Sequence, residues 1–259
     1  MYWHMGETQM RLLKVVPRIV KGLKSVLIER CYSFIQVSHK INLVRKVNGL
    51  RLASHFGPTL IVTSISLILS FFYTSWQSAI VIAFGVMLGQ LVVGWSNDLY
   101  DYADDLSHQR VNKPLVQGSI SRELLTRCLF VMVPLSFLAN LLGPLGMRGG
   151  LVYMFGIACG VAYNFYFKFN IFSPLPFALA FAALPSSVVI SQDQTPPVWM
   201  WLGGALFGVA AHFINVLKDI DEDQISGIGG LPQRMGMRNS IISAAVLIAL
   251  GIILLIVLL

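Results

Sequence analysis

The sequence predicts an all-α protein, a polytopic transmembrane helical bundle, from three observations. The 259 residues are 56% hydrophobic and only 12% charged, with a mean hydropathy of +0.71. That composition is far more apolar than the composition of soluble domains. The apolar residues fall into runs of about 20, the length that crosses a bilayer as a helix. Basic residues stand beside these runs rather than inside them. We therefore expect an integral membrane protein.

Seven runs satisfy the length requirement. They cover approximately residues 54–73, 77–97, 124–143, 149–167, 171–191, 197–217 and 240–259. Because the connections between them are short, we predict a single transmembrane domain over residues 51–259.

Residues 1–50 form a basic N-terminal extension of different character. Apolar residues between Leu12 and Leu27 and basic residues between Arg11 and Lys21 recur at helical spacing, interrupted at Pro17. This pattern is typical of an amphipathic helix at a membrane interface. The extension could also be a poorly ordered tail, and we assign it no part in catalysis.

The basic residues predict the orientation. Ten of the nineteen Lys and Arg residues precede the first span, and most others follow spans 2, 4 and 6, whereas Arg148 lies on the opposite side. Positive residues accumulate on the cytoplasmic side of a membrane. We therefore predict a multi-pass protein of the cell membrane whose N-terminus and both acidic clusters lie on the cytoplasmic side. The net charge of +7 then reflects topology and attraction to membrane lipid, and we expect no nucleic-acid partner. Three cysteines without C-x-x-C spacing exclude a disulfide framework.

Eight of the twelve acidic residues lie in two clusters, each at the end of an apolar run. The first, DLYDYADD, begins at Asp98. On a helix Asp98, Asp101 and Asp105 share one face, Asp104 points away, and Asn97 can add an amide oxygen. Crowded carboxylates at a membrane surface need a neutralising cation, and hard oxygen ligands suit Mg²⁺. We therefore predict a metal and diphosphate site, against the alternative of a solvated acidic loop.

The stretch HQRVNKPLVQGSIS follows this cluster, and its Arg110 and Lys113 could bind the diphosphate. Lys168, at the end of YNFYFK, could do the same from the same membrane side, or could only anchor a helix end.

The second cluster, DIDED, ends the sixth span. Asp219 and Asp223 are four residues apart and share a helical face, and Asn215 and His212 extend that face backwards. A polar stripe on a membrane helix normally faces the bundle interior. We predict Asp219 and Asp223 as ligands of a second metal, Asn215 as a residue lining the same cavity, and His212 as a hydrogen-bonded interior residue.

These motifs together resemble the UbiA superfamily of intramembrane prenyltransferases. NDLYDYADD is similar to its N-D-x-x-D-x-x-x-D signature, DIDED to its second D-x-x-x-D signature, and RVNKPLVQGSIS and YNFYFK to its basic segments. The resemblance covers approximately residues 50–240. The family usually has nine spans, whereas this sequence provides seven, so the last two are not in it.

The resemblance implies Mg²⁺-dependent transfer of a polyprenyl group from its diphosphate to a small aromatic acceptor, such as a quinone precursor, or to a lipid acceptor. It implies roles for the residues already singled out. The metal ligands would be Asp98, Asp101, Asp105, Asp219 and Asp223. The residues in contact with substrate would be Asn97, Arg110, Lys113, Lys168 and Asn215. We expect Asp98, Asp101 and Asp219 to be indispensable for catalysis.

Other functions fit parts of the pattern. A metal-ion transporter would carry acidic residues near mid-membrane, whereas both clusters here follow their spans at one surface. An alcohol phosphatidyltransferase would need a D-G-x-x-A-R pattern, which is absent around the acids. A family member with another donor, or a truncated inactive member, also remains open at this level.

Overall fold

The computed structural model describes residues 42–218, 220, 223 and 227–258. Residues 42–48 are helical and exposed and belong to a separate unit, whereas the rest of the described chain lies in one compact unit that starts at Gly49. The predicted amphipathic segment between Leu12 and Leu27 lies outside the described residues.

Every predicted span overlaps a helix, although the last helix begins at Leu231 and is interrupted at Gly236 (φ 77°), shortly before the predicted start at residue 240. The seven helices are α1 (Phe56–Tyr73), α2 (Trp76–Ser107), α3 (Arg122–Leu142), α4 (Gly146–Phe165), α5 (Pro174–Ile190), α6 (Val198–Leu217) and α7 (Leu231–Leu258), with a short 3₁₀ helix at Phe167–Phe169. By length and apolar composition five of the seven, α1, α2, α3, α6 and α7, are each able to cross a membrane, while α5 is apolar but has 17 residues. Helix α4 has 20 residues but does not meet the same criterion, because glycines and the polar residues Arg148 and Asn164 lower its hydropathy. No strand occurs in the described part of the chain, which confirms the predicted all-α class.

Local sequence signals explain several helix boundaries. Ser75 precedes α2 and its hydroxyl accepts a hydrogen bond from the Ser78 amide at 3.3 Å. Ser121 caps α3 in the same way, through the Leu124 amide at 3.2 Å. Pro174 starts α5, where its missing amide hydrogen costs nothing.

Helix α2 is the longest helix in the described part of the chain and packs against α1, α3 and α4. Its 32 residues correspond to about 48 Å, more than the ~30 Å thickness of the hydrocarbon core. It therefore carries its acidic C-terminal turns beyond the apolar layer without a break. The predicted end of span 2 at residue 97 is the end of the apolar run only, because the helix continues to Ser107.

Buried polar side chains tie α2 to its neighbours. The Asn140 amide of α3 donates to the Gly85 carbonyl at 3.0 Å, and the Tyr153 hydroxyl of α4 donates to the Val86 carbonyl at 2.8 Å. Farther along, the Asn164 amide of α4 donates to the Val93 carbonyl at 3.1 Å. Such bonds between apolar helices fix their rotation and offset, so they determine which way the acidic face of α2 points.

The outer surface of the bundle is apolar. Large hydrophobic side chains are widely exposed on the outer helices, including Phe72 of α1, Phe130 of α3 and Ile256 of α7. Such a surface is unsuitable for water and suitable for lipid.

Candidate diphosphate and metal site

The first acidic cluster occupies the last three turns of α2, where Asp98 and Asp105 point into the protein. The side chain of Asp98 is 3% exposed and that of Asp105 is 2%, whereas that of Asp104 is 37% exposed. Asp101 lies between these extremes at 19%. The arrangement expected from helical geometry is thus observed, with Asp104 turned away from the other three.

Arg110 and Lys113 return towards this acidic face from the loop after α2. The chain turns at Gln109, which has a left-handed backbone (φ 51°), and the Arg110 amide then donates to the Asp105 carbonyl at 2.9 Å. Arg110 Nη1 lies 3.2 Å from Asp105 Oδ1. Lys113 Nζ lies 2.9 Å from Asp98 Oδ1 and 3.7 Å from Asp105 Oδ2. One ammonium group therefore bridges two carboxylates.

The electrostatics of Lys113 follow from these contacts. Burial of the ammonium opposes its charge, but the negative charges of Asp98 and Asp105 outweigh burial and raise the pKa of Lys113 above its ordinary value. Lys113 therefore stays a cation, suited either to a carboxylate or to a phosphate.

Lys168 reaches the same face from a different part of the chain. It sits in the 3₁₀ helix after α4, is 5% exposed, and forms an ion pair with Asp101. Its ammonium group also lies 5.1 Å from the centre of the Tyr100 ring and 5.2 Å from that of Phe169. Cation–π contacts of this kind hold an ammonium group in place.

His55 also contacts this site, although no sequence pattern predicted it there. It immediately precedes α1, has a left-handed backbone (φ 50°), and places Nε2 3.4 Å from Asp98 Oδ1 and 3.4 Å from Asn97 Nδ2. Its place depends on Gly94, because a Cβ there would lie 2.5 Å from the Ser54 carbonyl oxygen. No local motif marks His55, so only the contact between the start of α1 and α2 reveals it.

The second acidic cluster is described only in part. Asp219, Asp221 and Glu222 lie outside the described residues. Asp223 Oδ2 accepts a hydrogen bond from Gln233 Nε2 at 2.8 Å, and Gln233 is buried in the first turn of α7. Asn215, predicted to line the cavity, is exposed near the end of α6.

His212 is fully buried, and its Nε2 lies 3.0 Å from the Ser173 hydroxyl oxygen. The prediction of a hydrogen-bonded interior histidine is therefore confirmed. The same hydroxyl oxygen accepts a hydrogen bond from the Leu231 amide at 2.9 Å. Ser173 thus links the end of the α4–α5 connection, helix α6 and the start of α7.

The donor atoms at the first cluster suit a hard divalent cation. All of them are oxygens, and Asp98 Oδ2 is buried without a hydrogen-bond partner among the described residues. Within the same described part, however, no three acidic, histidine or cysteine side chains converge as a ready ligand set. Lysine and arginine groups instead hold the carboxylates that a metal would use.

The chain is similar in sequence to known membrane prenyltransferases. A model of the UbiA prenyltransferase family matches residues 57–259. Over 153 residues the chain is 27% identical to the digeranylgeranylglyceryl phosphate synthase of Archaeoglobus fulgidus, an alignment covering 56% of this chain. The chain spans only about half (50%) of that relative's length.

Solved structures agree at the level of the fold. A UbiA homolog from Archaeoglobus fulgidus bound to DMAPP and Mg²⁺ superimposes with a TM-score of 0.68 at 18% identity, covering 81% of this chain and 77% of that one. The homolog bound to GPP and Mg²⁺ gives a TM-score of 0.67 at 19% identity, covering 81% and 76%.

Proposed function

Because this chain belongs to the UbiA prenyltransferase family, we propose that it transfers a polyprenyl group from a prenyl diphosphate to an acceptor inside the membrane. The observation that carries the proposal is the site on α2. Three carboxylates on one helix face meet three cationic side chains from other segments, where an apolar helix leaves the hydrocarbon layer. The apolar helices supply a medium for a prenyl tail, and the charged groups supply a place for its diphosphate.

The cationic residues would bind the donor. Arg110 offers a planar fork to two phosphate oxygens, whereas Lys113 and Lys168 act as point charges from two other directions. Asn97 lies beside Asp98 and would add a polar contact. Asn215, although exposed near the end of α6, would line the same cavity from the side of the second motif. Binding from several sides fixes the diphosphate while leaving the first carbon of the prenyl chain open to attack.

Residues Asp98, Asp101 and Asp105 would hold Mg²⁺ at the first motif, and Asp219 and Asp223 would do so at the second. Bound Mg²⁺ supplies positive charge that stabilises the diphosphate as it leaves. The assignment at the first motif is supported by its carboxylate oxygens and by Asp98 Oδ2, which has no hydrogen-bond partner in the described part of the chain.

The transfer itself exchanges one bond for another. The bond between the first prenyl carbon and the diphosphate oxygen breaks, and its electron pair leaves with the diphosphate. The acceptor supplies the electron pair of the new bond, a carbon–carbon bond for an aromatic ring or a carbon–oxygen bond for a lipid hydroxyl. The proton that the acceptor loses passes to the released diphosphate or to water. Arg110, Lys113 and Lys168 stabilise the charge that develops on the leaving group.

Exclusion of water matters because an allylic cation is readily hydrolysed. One turn before Asp98, Trp95 is buried in an apolar cluster with Ala53, Leu115, Ile120 and Leu125. The Trp95 indole donates a hydrogen bond to the Leu50 carbonyl at 2.9 Å, which links this cluster to the residues that precede α1. This packing would limit the access of water to the buried side of the acidic face.

Two acceptor classes are supported by different observations. The resemblance to the UbiA superfamily, whose acceptor is commonly an aromatic ring, favours a small aromatic acceptor such as 4-hydroxybenzoate or a dihydroxynaphthoate. The relative from Archaeoglobus fulgidus is named for a glyceryl phosphate product, which favours a lipid acceptor. Both acidic motifs follow their apolar runs at one surface, whereas a permeating metal ion would be bound near mid-membrane, which argues against a transporter.

The test is prenyl transfer by the purified full chain in lipid nanodiscs. Geranyl, farnesyl and longer prenyl diphosphates are combined with 4-hydroxybenzoate, 1,4-dihydroxy-2-naphthoate and a glyceryl phosphate ether lipid, with Mg²⁺ or with EDTA. We expect Mg²⁺-dependent release of pyrophosphate that requires one acceptor class, with the prenylated product identified by mass spectrometry. Absence of both donor binding and pyrophosphate release across the panel would contradict the proposal and favour an inactive member or a transporter.

A further inference from the structure

We propose that Lys113 and Lys168 are internal counter-ions. They hold the carboxylates of the first acidic motif until metal and diphosphate arrive together, and they make each ligand bind poorly without the other. This inference rests on the proposed function, but it concerns a property of the chain that family membership does not imply.

The contacts show that each of the three carboxylates already has a cationic partner. Lys113 bridges Asp98 and Asp105, at 2.9 Å and 3.7 Å, and Lys168 is paired with Asp101. Arg110 completes the set at 3.2 Å from Asp105. The partners come from the loop after α2 and from the 3₁₀ helix after α4, so the pairing is a property of the folded chain and not of one motif.

Charge balance predicts cooperation between the ligands. Asp98, Asp101 and Asp105 face the same number of cations, so this set of side chains is close to neutral, with Asp104 a further contact of Arg110 at 3.7 Å. A divalent metal alone would bring two positive charges to carboxylates that already have partners, and the displaced ammonium groups would remain close by. A diphosphate alone would compete with the carboxylates for the same ammonium groups. When both arrive, the metal takes the carboxylates and the phosphates take the lysines, so every charge keeps a partner.

The two lysines are placed differently for this exchange. Lys113 is on the loop between α2 and α3, and its side chain is partly accessible, so it can leave Asp98 without disturbing helix packing. Asp98 Oδ2 is buried and without a hydrogen-bond partner in the described part of the chain, so it is an oxygen that would be available to a metal once Lys113 leaves Asp98. Lys168 lies over the rings of Tyr100 and Phe169, which would keep its ammonium group at the site after Asp101 is released.

The experiment measures binding of Mn²⁺, as a paramagnetic substitute for Mg²⁺, by electron paramagnetic resonance. Purified wild type, Lys113→Met, Lys168→Met and the charge-retaining Lys113→Arg are titrated with Mn²⁺ alone and with inorganic pyrophosphate. For the wild type we expect pyrophosphate to tighten Mn²⁺ binding by about tenfold or more, within the usual range of coupling between two sites. For each Met variant we expect Mn²⁺ alone to bind about tenfold more tightly than to wild type, and the effect of pyrophosphate to shrink.

The controls separate this effect from general changes in charge. Lys113→Arg should behave as wild type towards Mn²⁺ alone. Arg148→Met removes an exposed cation that pairs with Asp193 at 2.8 Å, away from this site, and should also bind Mn²⁺ as wild type does. Lys168→Met serves as a second test because its partner Asp101 is more exposed than Asp98. A carboxylate that loses its partner is less costly where water can reach it, so we expect this variant to be destabilised less than Lys113→Met.

Three results bear on the inference. Tighter binding of Mn²⁺ alone to the Met variants, with weaker coupling to pyrophosphate, supports it. Unchanged or weaker binding of Mn²⁺ alone to both Met variants, while wild type binds Mn²⁺ with pyrophosphate, overturns the counter-ion role and leaves the proposed function intact. No Mn²⁺ binding to any of the proteins, with or without pyrophosphate, overturns the proposed function and this inference with it.

Discussion

Asp98 and Asp104 belong to the same acidic motif on the same helix, but their surroundings differ. Asp98 is buried beside Lys113 and His55, whereas Asp104 is partly exposed and contacts His108 and Arg110 at 3.3 Å and 3.7 Å. The difference follows from the 100° rotation per residue of an α-helix. Equal charge and close spacing in the sequence do not give these residues equal roles.

Replacement of single acidic residues tests this difference. Asp98→Asn and Asp101→Asn should each lower kcat/KM for prenyl transfer on the order of 100-fold or more, the usual effect of losing one preorganised electrostatic group. Asp104→Asn, the matched control from the same motif, should stay within about threefold of wild type by the same reasoning. Steady-state kinetics in nanodiscs would measure this, and equal losses at Asp101 and Asp104 would refute the assignment of faces.

His55 combines a contact with Asp98 and an unusual backbone. Its left-handed conformation (φ 50°, ψ 56°) suits Asn or Gly but disfavours Ala by about 1 kcal/mol. We therefore expect His55→Ala to unfold at a lower temperature than His55→Asn. Both variants lose the imidazole beside Asp98, so both should lose a similar several-fold amount of activity. Thermal unfolding and initial rates, measured on the same preparations, would check this. A His55→Asn variant with wild-type activity would show that the imidazole beside Asp98 is not required for prenyl transfer.

At the level of elements, α2 links the apolar bundle to the polar site. It is held by hydrogen bonds from Asn140, Tyr153 and Asn164 to its backbone carbonyls. The start of α1 approaches it at Gly94, where the Ser54 backbone occupies the space that a side chain would need. Because Asp98 lies one turn after Gly94, this close approach also positions His55 at the site.

Gly94→Ala should therefore be costly. The added Cβ would meet the Ser54 backbone at 2.5–2.9 Å, and backbone atoms cannot move aside as a flexible side chain would. We expect a loss of about 1–3 kcal/mol in the free energy of unfolding, the usual cost of overpacking, together with reduced activity because His55 is displaced.

The matched control is Gly57→Ala in α1, since a Cβ at Gly57 meets nothing within 4 Å. It should leave both stability and activity near wild type. If Gly94→Ala were as stable as Gly57→Ala, the close approach of α1 and α2 would not constrain the fold.

At the scale of the whole molecule, the two ends of the bundle differ in the number of charged side chains they carry. The acidic motif and its cationic partners lie at the end formed by the α2–α3 loop and the 3₁₀ helix, whereas Arg148 and Asp193 form an exposed pair elsewhere. We propose that the α2–α3 end faces the cytoplasm, because basic residues are retained on that side.

Cysteine labelling tests this orientation. In a background without Cys31, Cys128 and Cys159, the exposed residues Ser107 and Gln194 are each changed to Cys. A membrane-impermeant maleimide should label Gln194→Cys in intact cells and Ser107→Cys only in inverted vesicles. The reverse pattern would contradict the proposed orientation while leaving the fold unchanged.

The sequence by itself determined the all-α class, the seven apolar runs that each lie in a helix, and the acidic face of α2. These features are local: a run of about 20 apolar residues crosses a membrane only as a helix, because unpaired backbone groups are too costly in hydrocarbon. Once the helix is given, the spacing of Asp98, Asp101 and Asp105 determines that they share a face.

Only the tertiary structure decided which residues meet these carboxylates. Lys113 pairs with Asp98 across 15 positions, Lys168 with Asp101 across 67, and Asn97 meets His55 across 42. Such contacts depend on how loops and helices pack, and periodicity within one segment carries no information about them. His55 was missed for that reason, and Lys113 and Lys168 were predicted as phosphate ligands without their carboxylate partners being foreseen.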